Sequence, residues 1–471
     1  MTMQVGDPGA HAGAIAVAVA GLERAFDGQL VRPGAAAYDV LRRVWNGSID
    51  RHPAVIARCA SVADVIAAVR VGRETDVPIA VRGGGHSFPG LSVCDDGVVI
   101  DLGVMKDIRV DASAGRVHAQ AGVLLGELDR ATQACGQAVP LGSVSHTGIA
   151  GLTLGGGFGW LMRRLGLTID QVVAMNVVTA DGEVLRASET DDPDLFWGLR
   201  GGGGNFGIVT DFEYRLQPVG PTVLSGLLLW PQEDGVEVVR FYRDWAREAP
   251  DELTTALVLR RAPALDIIPS DLHGRPVVGV ASCWSGELDR GEAVLEPMRR
   301  FGSHGVDLVS RRPYLEHQAF LDPSFPPGIW IHSKAADVNA LTDAVVDVLL
   351  THAARIGSDR SGIIAWQLGG AVARVGELET PFGSRQSGYL VDIVGATDGP
   401  SGFERERTWA RDTWASLGPH RAGVYMNWLM DEGQERVREA YGAERYARLQ
   451  VVKRRYDPEN VFRLNQNVLP A

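Results

Sequence analysis

The chain has only four cysteines in 471 residues, and Cys59, Cys94, Cys135 and Cys283 show neither CxxC spacing nor a nearby histidine pair. Zinc and a disulfide framework are therefore not expected, and reduced, mostly buried thiols point to a cytoplasmic protein. No apolar run approaches the roughly 18 residues that a membrane helix needs. Cationic excess is missing too: 46 Lys and Arg face 58 Asp and Glu, a formal net charge of −12. Without a basic cluster interleaved with aromatics, a nucleic-acid partner lacks electrostatic support. The small apolar stretch 14–22 has no preceding Lys or Arg, and Asp7 stands where a signal peptide would be positive. It reads as an ordinary N-terminal helix. Asn46-Gly47-Ser48 matches a glycosylation sequon, but without a signal it implies only a turn.

What is present is glycine, 57 of them, in a chain long enough for two or three domains. Residues 62–71 and 123–134 have helical apolar spacing. Short β-like runs cover 77–81, 97–102 and 116–121, and an Asp-Gly turn at 181–182 joins two strands into a hairpin. This texture, short strands with dense glycine turns, predicts an α+β domain over 1–217, with its core from about residue 50. From 218 to 440, strand-like runs (223–230, 255–259, 277–284, 363–375, 388–394) alternate with helical stretches (234–249, 337–356, 404–417). They predict a second domain, an antiparallel sheet covered by helices. The segment 441–471 resembles neither and is expected to return to the first domain.

Three glycine clusters fall in that first domain. Arg82-Gly83-Gly84-Gly85-His86-Ser87 follows a strand and continues through Phe88-Pro89 to Gly90. Consecutive glycines expose N–H groups and permit positive φ, so the loop can wrap an anion such as a pyrophosphate. It is neither a Walker loop, lacking Gly-Lys-Ser/Thr, nor a dinucleotide GxGxxG, since Pro89-Gly90 would stop a helix. On its own it is an anion turn with a histidine. The second cluster runs Gly142-Ser143-Val144-Ser145-His146-Thr147-Gly148-Ile149-Ala150-Gly151, then Gly155-Gly156-Gly157-Phe158-Gly159. The third runs from Gly201 to Gly204 and on through Asn205, Phe206, Gly207, Ile208 and Val209. Close packing at glycine explains one such cluster well and three poorly. An extended cofactor gripped by backbone at several points explains all three.

RGGGHSFPG, GLTLGGGFGWLMRRLGLTIDQV, DPDLFWGLRGGGGNFGIVT and YDPENVFRLNQN occur in that order, and together they resemble the berberine-bridge-enzyme-like branch of the vanillyl-alcohol-oxidase flavoproteins. The resemblance covers the first domain and the tail, and more loosely the middle, through WQLGGAVARV and Tyr425-Met426-Asn427-Trp428. It implies a two-part PCMH-type FAD-binding domain, and FAD bonded by its 8α carbon to His86. Many members add a cysteinyl link in the segment matching 142–159. Here Val144 stands at that place, which implies a single link, as in members of the 6-hydroxy-D-nicotine oxidase type. Leu152, where some members carry histidine, implies a drier site. His146 reads as a loop histidine rather than a replacement ligand. Asn465 and Asn467 are expected near the flavin ring, and the glycine clusters around the ADP end.

Catalytic groups in the family sit on the strand before a Gly-Gly pair and in a Tyr/Asn segment near the C-terminus. The matching positions are Gln367, Tyr425 and Asn427, with Trp330 or His332 as further candidates or plain core. None is a carboxylate, so direct hydride transfer from an amine is favoured over alcohol oxidation. The expected activity is oxidation of a small aromatic, amine or alcohol substrate, the electrons passing to O2 with release of hydrogen peroxide. A dehydrogenase using another acceptor and a non-catalytic flavin-binding protein are the rivals. A nicotinamide-dependent reductase has no fingerprint here. Monomer and homodimer both remain open.

Overall fold

The computed structural model describes residues 19–20, 23, 26–264, 266–303 and 305–471. The expected N-terminal helix falls largely outside them. Two larger sheets and a two-stranded one, Gln137–Ala138 with Gln217–Pro218, occupy the first half of the chain among the described residues. A four-stranded sheet is ordered Gln29–Val31, Val55–Arg58, Val98–Asp101, Ile79–Arg82, its last three strands parallel. A five-stranded antiparallel sheet is ordered Ile108–Asp111, Arg116–Gln120, Ile208–Arg215, Val172–Val178, Val184–Ser188. The helix Val62–Glu74 starts at a capping box, Ser61 and Asp64 each bonding the other's backbone N–H. It buries Val65, Ala68 and Val69 in the core that joins both sheets.

The second half is a nine-stranded antiparallel sheet, centred on Leu253–Arg261, Gly362–Gln367, Tyr389–Thr397 and Trp330–Val338. Helices Gly235–Arg247, Asp343–Ala353 and Phe403–Ser416 pack on one face, burying Leu257, Ile363, Val391 and Ile393 among their apolar residues. Because side chains alternate along a strand, Ala256, Trp366 and Leu390 project from the other face. They meet Phe158, Trp160 and Leu161 of the glycine-rich half. The overall class is α+β, as the sequence predicts. Two spans differ locally. The expected strand 363–375 ends at Gln367, where Gly369 and Gly370 take positive φ and a short helix, Ala371–Arg374, follows. The expected helix 337–356 begins only at Asp343, because Asp337 and Val338 finish a strand.

The tail packs on the first half. Helix Ala443–Tyr456 buries Tyr446, Leu449 and Val452 there, as do Phe462 and Val468 beyond it. Fully buried Lys453 donates to the carbonyls of Asn205 and Phe462 and pairs with Asp457 at 2.6 Å. A buried charge is tolerated only with such complete hydrogen bonding. Asn46 of the sequon is also fully buried. It donates to the carbonyls of Phe88 and Ile331, tying the first half to the big sheet. Among the described residues no helix is long and apolar enough to cross a membrane.

Candidate active site

A cavity of about 330 Å³ lies where the glycine clusters face the bare side of the nine-stranded sheet. Gly83, Gly84, Gly85, His86 and Ser87 line it from the first cluster. Gly142, Ser143, Val144, Gly148, Gly151 and Phe158 line it from the second. Asn205, Gly207, Ile208 and Val209 come from the third, and Asn465 from the tail. Gly84 must lack a side chain: a Cβ there would sit 2.3 Å from the amide nitrogen of Gly148, so the first two loops meet backbone to backbone. At Gly151 and Gly204 an added Cβ meets nothing within 4 Å and would project into the cavity. Asn465 Oδ1 is buried without a hydrogen-bond partner on the same wall. An open backbone cradle with an orphaned buried acceptor suits a dinucleotide rich in N–H and phosphate groups. The residues fit FAD.

Seven expected cofactor contacts lie off the cavity lining. Arg82 is buried against Asp101 at 2.8 Å and donates to Leu41 O. Ser145 gives its N–H and its hydroxyl to Asp322, clamping its loop to the second half. A Cβ at Gly90 would strike Ile49, one at Gly155 Asn427, one at Gly156 Phe382, and one at Gly159 Leu141 O. Asn467 is bonded through its carbonyl by Gln434 and stays outside the lining.

His86 stacks on Trp45, with ring centroids 3.9 Å apart and planes 16° from parallel. Its Nε2 lies 3.2 Å from His146 Nδ1. Burial, and secondarily His146, push its pKa down to about 3, so the ring is neutral and nucleophilic at any working pH. His146, expected as a plain loop residue, is thus the direct partner of His86. None of the four cysteines lines the cavity.

The roof differs more from the sequence expectation. Gln367 is buried and faces the helices: it donates to Ala246 O at 2.5 Å and accepts from Thr255 at 2.8 Å. Its strand neighbours Ile364 and Trp366 line the cavity instead. Trp330 packs on Phe403 of the helix layer, and His332 lies on that same face, its pKa pushed down to about 4 by burial. A residue missed in the sequence takes the polar position. Asp392, on the strand Tyr389–Thr397, is buried, lines the cavity, and accepts from Ser333 Oγ. Desolvation raises its pKa to about 7, with the Ser333 bond opposing. Buried Asp129 and Asp337 share that raised pKa, but of the three only Asp392 opens on the cavity, where its carboxyl is available for acid–base chemistry.

Tyr425 and Asn427 do reach the site. The Tyr425 hydroxyl accepts from Gly157 N at 3.2 Å and from Asn427 Nδ2 at 2.8 Å, while Asn427 also donates to the carbonyls of Gly151 and Leu152. Burial lifts the Tyr425 pKa to about 12. It therefore keeps its proton, which leaves the hydroxyl available as a donor.

Comparison with known proteins identifies the family. The FAD binding domain family matches residues 53–188, and the berberine and berberine-like family matches residues 424–469. An FAD-linked oxidoreductase of Dictyostelium discoideum is 30% identical over 452 residues, covering 94% of this chain and 95% of the relative. The (R)-6-hydroxynicotine oxidase of Paenarthrobacter nicotinovorans is 31% identical over 465 residues, covering 94% and 97%. The crystal structure of 6-hydroxy-D-nicotine oxidase from Arthrobacter nicotinovorans superposes with a TM-score of 0.86 at 28% identity, covering 95% of this chain and 99% of that one. With its glycine cradle, its histidine and its sheet roof all accounted for, the chain belongs to the berberine-bridge-enzyme-like family and is an FAD-linked oxidoreductase.

Proposed function

We propose that this protein is an oxidase that holds FAD covalently through His86 alone and oxidises a small aromatic amine or alcohol. What carries this reading is one cavity that runs from the glycine loops and His86 to the buried carboxylate of Asp392. Residues 1–217 and 441–471 are taken to hold the cofactor, and 218–440 to supply the substrate face. When bound, FAD supplies the hydride acceptor and passes the electrons on to O2.

The chain's own groups do the rest. His146 Nδ1 faces Nε2 of His86 and can accept its proton, which leaves Nδ1 of His86 as the nitrogen that bonds the cofactor. The absence of any cysteine on the cavity wall supports a single link. Asp392 accepts the N–H or O–H proton of the substrate, so alcohols stand level with amines. Tyr425, fixed by Gly157 and Asn427, donates a hydrogen bond that orients the substrate. Phe158, Trp366 and Trp428 close the pocket with apolar rings and exclude water. Four free cysteines, three of them buried, support a reducing, cytoplasmic location.

Anaerobic mixing of the yellow holoenzyme with a panel of aromatic amines and benzylic alcohols tests the activity. A substrate should bleach the visible absorbance, and air-saturated buffer should restore it within seconds with one peroxide per turnover. A bleached enzyme that stays colourless in air would contradict the oxidase assignment.

A further inference from the structure

A second, smaller cavity of about 40 Å³ adjoins the first, and the two share Leu321, Phe325, Ile364 and Trp366. Two arginines, Arg260 and Arg360, stand on its remaining wall. Arg260 projects from the cavity face of the strand Leu253–Arg261, as Ala256 and Val258 do, while Leu257 and Leu259 face the helices. Its Nη1 donates to Ser324 Oγ at 3.1 Å and its Nη2 to Asp359 O at 2.8 Å. Nε is sealed from solvent with no partner.

No carboxylate pairs with Arg260 among the described residues, although its neighbours are neutralised. Arg261 lies 3.5 Å from Asp359, and Arg360 pairs with Asp398 at 2.8 Å. Burial and, less strongly, the nearby Arg360 weigh against the charge on Arg260, while the Asp359 carboxylate favours it. A half-buried guanidinium with one sealed, unused N–H and no directly paired carboxylate is suited to an anion supplied by a ligand.

The sheet register fixes where this group stands relative to the chemistry. Asp392 pairs with Ile364, which pairs with Val258; one rung further along, Val394 pairs with Gly362, which pairs with Arg260. Arg260 is thus two strands and two residues away from Asp392, roughly 12 Å between Cα atoms at standard strand spacings. The intervening position on the Arg260 rung is Gly362, and on the Asp392 rung it is Ile364, which lines both cavities. A ring with a short side chain spans that gap once both side chains reach inward.

We propose that Arg260 binds a carboxylate at the far end of the substrate, so that the enzyme selects aromatic acids whose amine or alcohol carbon lies beside Asp392. This rests on the reading that oxidation takes place in the larger cavity. The guanidinium fork matches a planar carboxylate, and a charge-assisted hydrogen bond of this kind contributes more than a neutral one.

Calorimetric titration of the yellow holoenzyme with 3-phenylpropionate and with the uncharged 3-phenylpropanamide tests it. The acid should bind at least about tenfold tighter than the amide, as expected for a hydrogen bond to a charged group. Arg260→Met should erase that preference at unchanged flavin content, and Arg260→Lys should keep part of it. Equal affinities in the wild type, no binding of the acid at millimolar concentration, or a preference that survives Arg260→Met would each overturn the assignment. Equal affinities on fully flavinylated enzyme strike Arg260 alone. A protein without flavin on His86 strikes the underlying reading instead.

Discussion

The two walls of the active-site cavity are built on different physics. The loop wall uses backbone: at Gly84 and Gly148 two chains touch where no side chain fits, and at Gly151 and Gly204 the missing Cβ atoms are the space itself. The sheet wall uses side chains on alternate positions of strands buried on both faces. Its function depends on which parity faces inward, so that Trp366 and Asp392 lie in the cavity while Gln367 and His332 lie under helices. A glycine cluster announces its role in the sequence; a doubly buried strand does not.

Changes on each wall should therefore fail differently. The largest effect belongs to the loops. Gly84→Ala would force a Cβ into the Gly148 backbone, and purified protein should retain less than about a tenth of its flavin, read from the visible-to-ultraviolet absorbance ratio. Asp392→Asn should leave the yellow colour intact but lower kcat/KM about 100-fold, within the range of general acid–base losses. In the wild type kcat/KM should rise with pH through about 7 as Asp392 ionises, and the variant should lose that limb.

Stability should move the opposite way. The folded-state pKa of Asp392 lies above the roughly 3.9 of an unfolded aspartate, so the folded protein binds the extra proton. Its contribution is fully present below about pH 4 and lost as pH rises to about 7. Above that pH, Asp392→Asn should melt higher than the wild type. A variant that is both slower and less stable would deny Asp392 its place in the cavity.

Smaller effects sharpen the contrast. Tyr425→Phe removes one donor from a site otherwise intact and should cost about tenfold in kcat/KM, with unchanged flavin content. Gln367→Met should change kcat less than about twofold, since the amide faces the helices. It should still lower the melting temperature, because Ala246 O and the Thr255 hydroxyl lose a buried partner, about 1–3 kcal/mol. A large kcat loss there would reverse the parity of the strand.

Much of the loop wall was legible beforehand. The three glycine clusters point to an extended cofactor held by backbone, and the family resemblance singles out His86 and Val144, both of which line the cavity with Ser143, Asn205 and Ile208. Even there the local signal overreached: Gly90, Gly155, Gly156 and Gly159 are glycine because Ile49, Asn427, Phe382 and Leu141 crowd them, which no local pattern reveals. On the sheet, the run Ile363-Ile364-Ala365-Trp366 is apolar on both faces, so nothing fixed its parity, and a one-residue slip exchanges all its side chains. Asp392 stood in Leu390-Val391-Asp392-Ile393-Val394, and a lone carboxylate inside an apolar strand was the available sign. The His86–His146 contact joins positions 60 residues apart through the meeting of two loops, a tertiary event that spacing does not encode.

The bond to His86 is the claim on which the cofactor assignment turns. Acid-denatured protein, washed and weighed intact by mass spectrometry, should carry one FAD beyond the polypeptide mass and stay yellow. His86→Ala should show the bare chain and release all of its flavin into the supernatant. Wild-type protein of bare polypeptide mass, or an FAD increment that persists in His86→Ala, would contradict it.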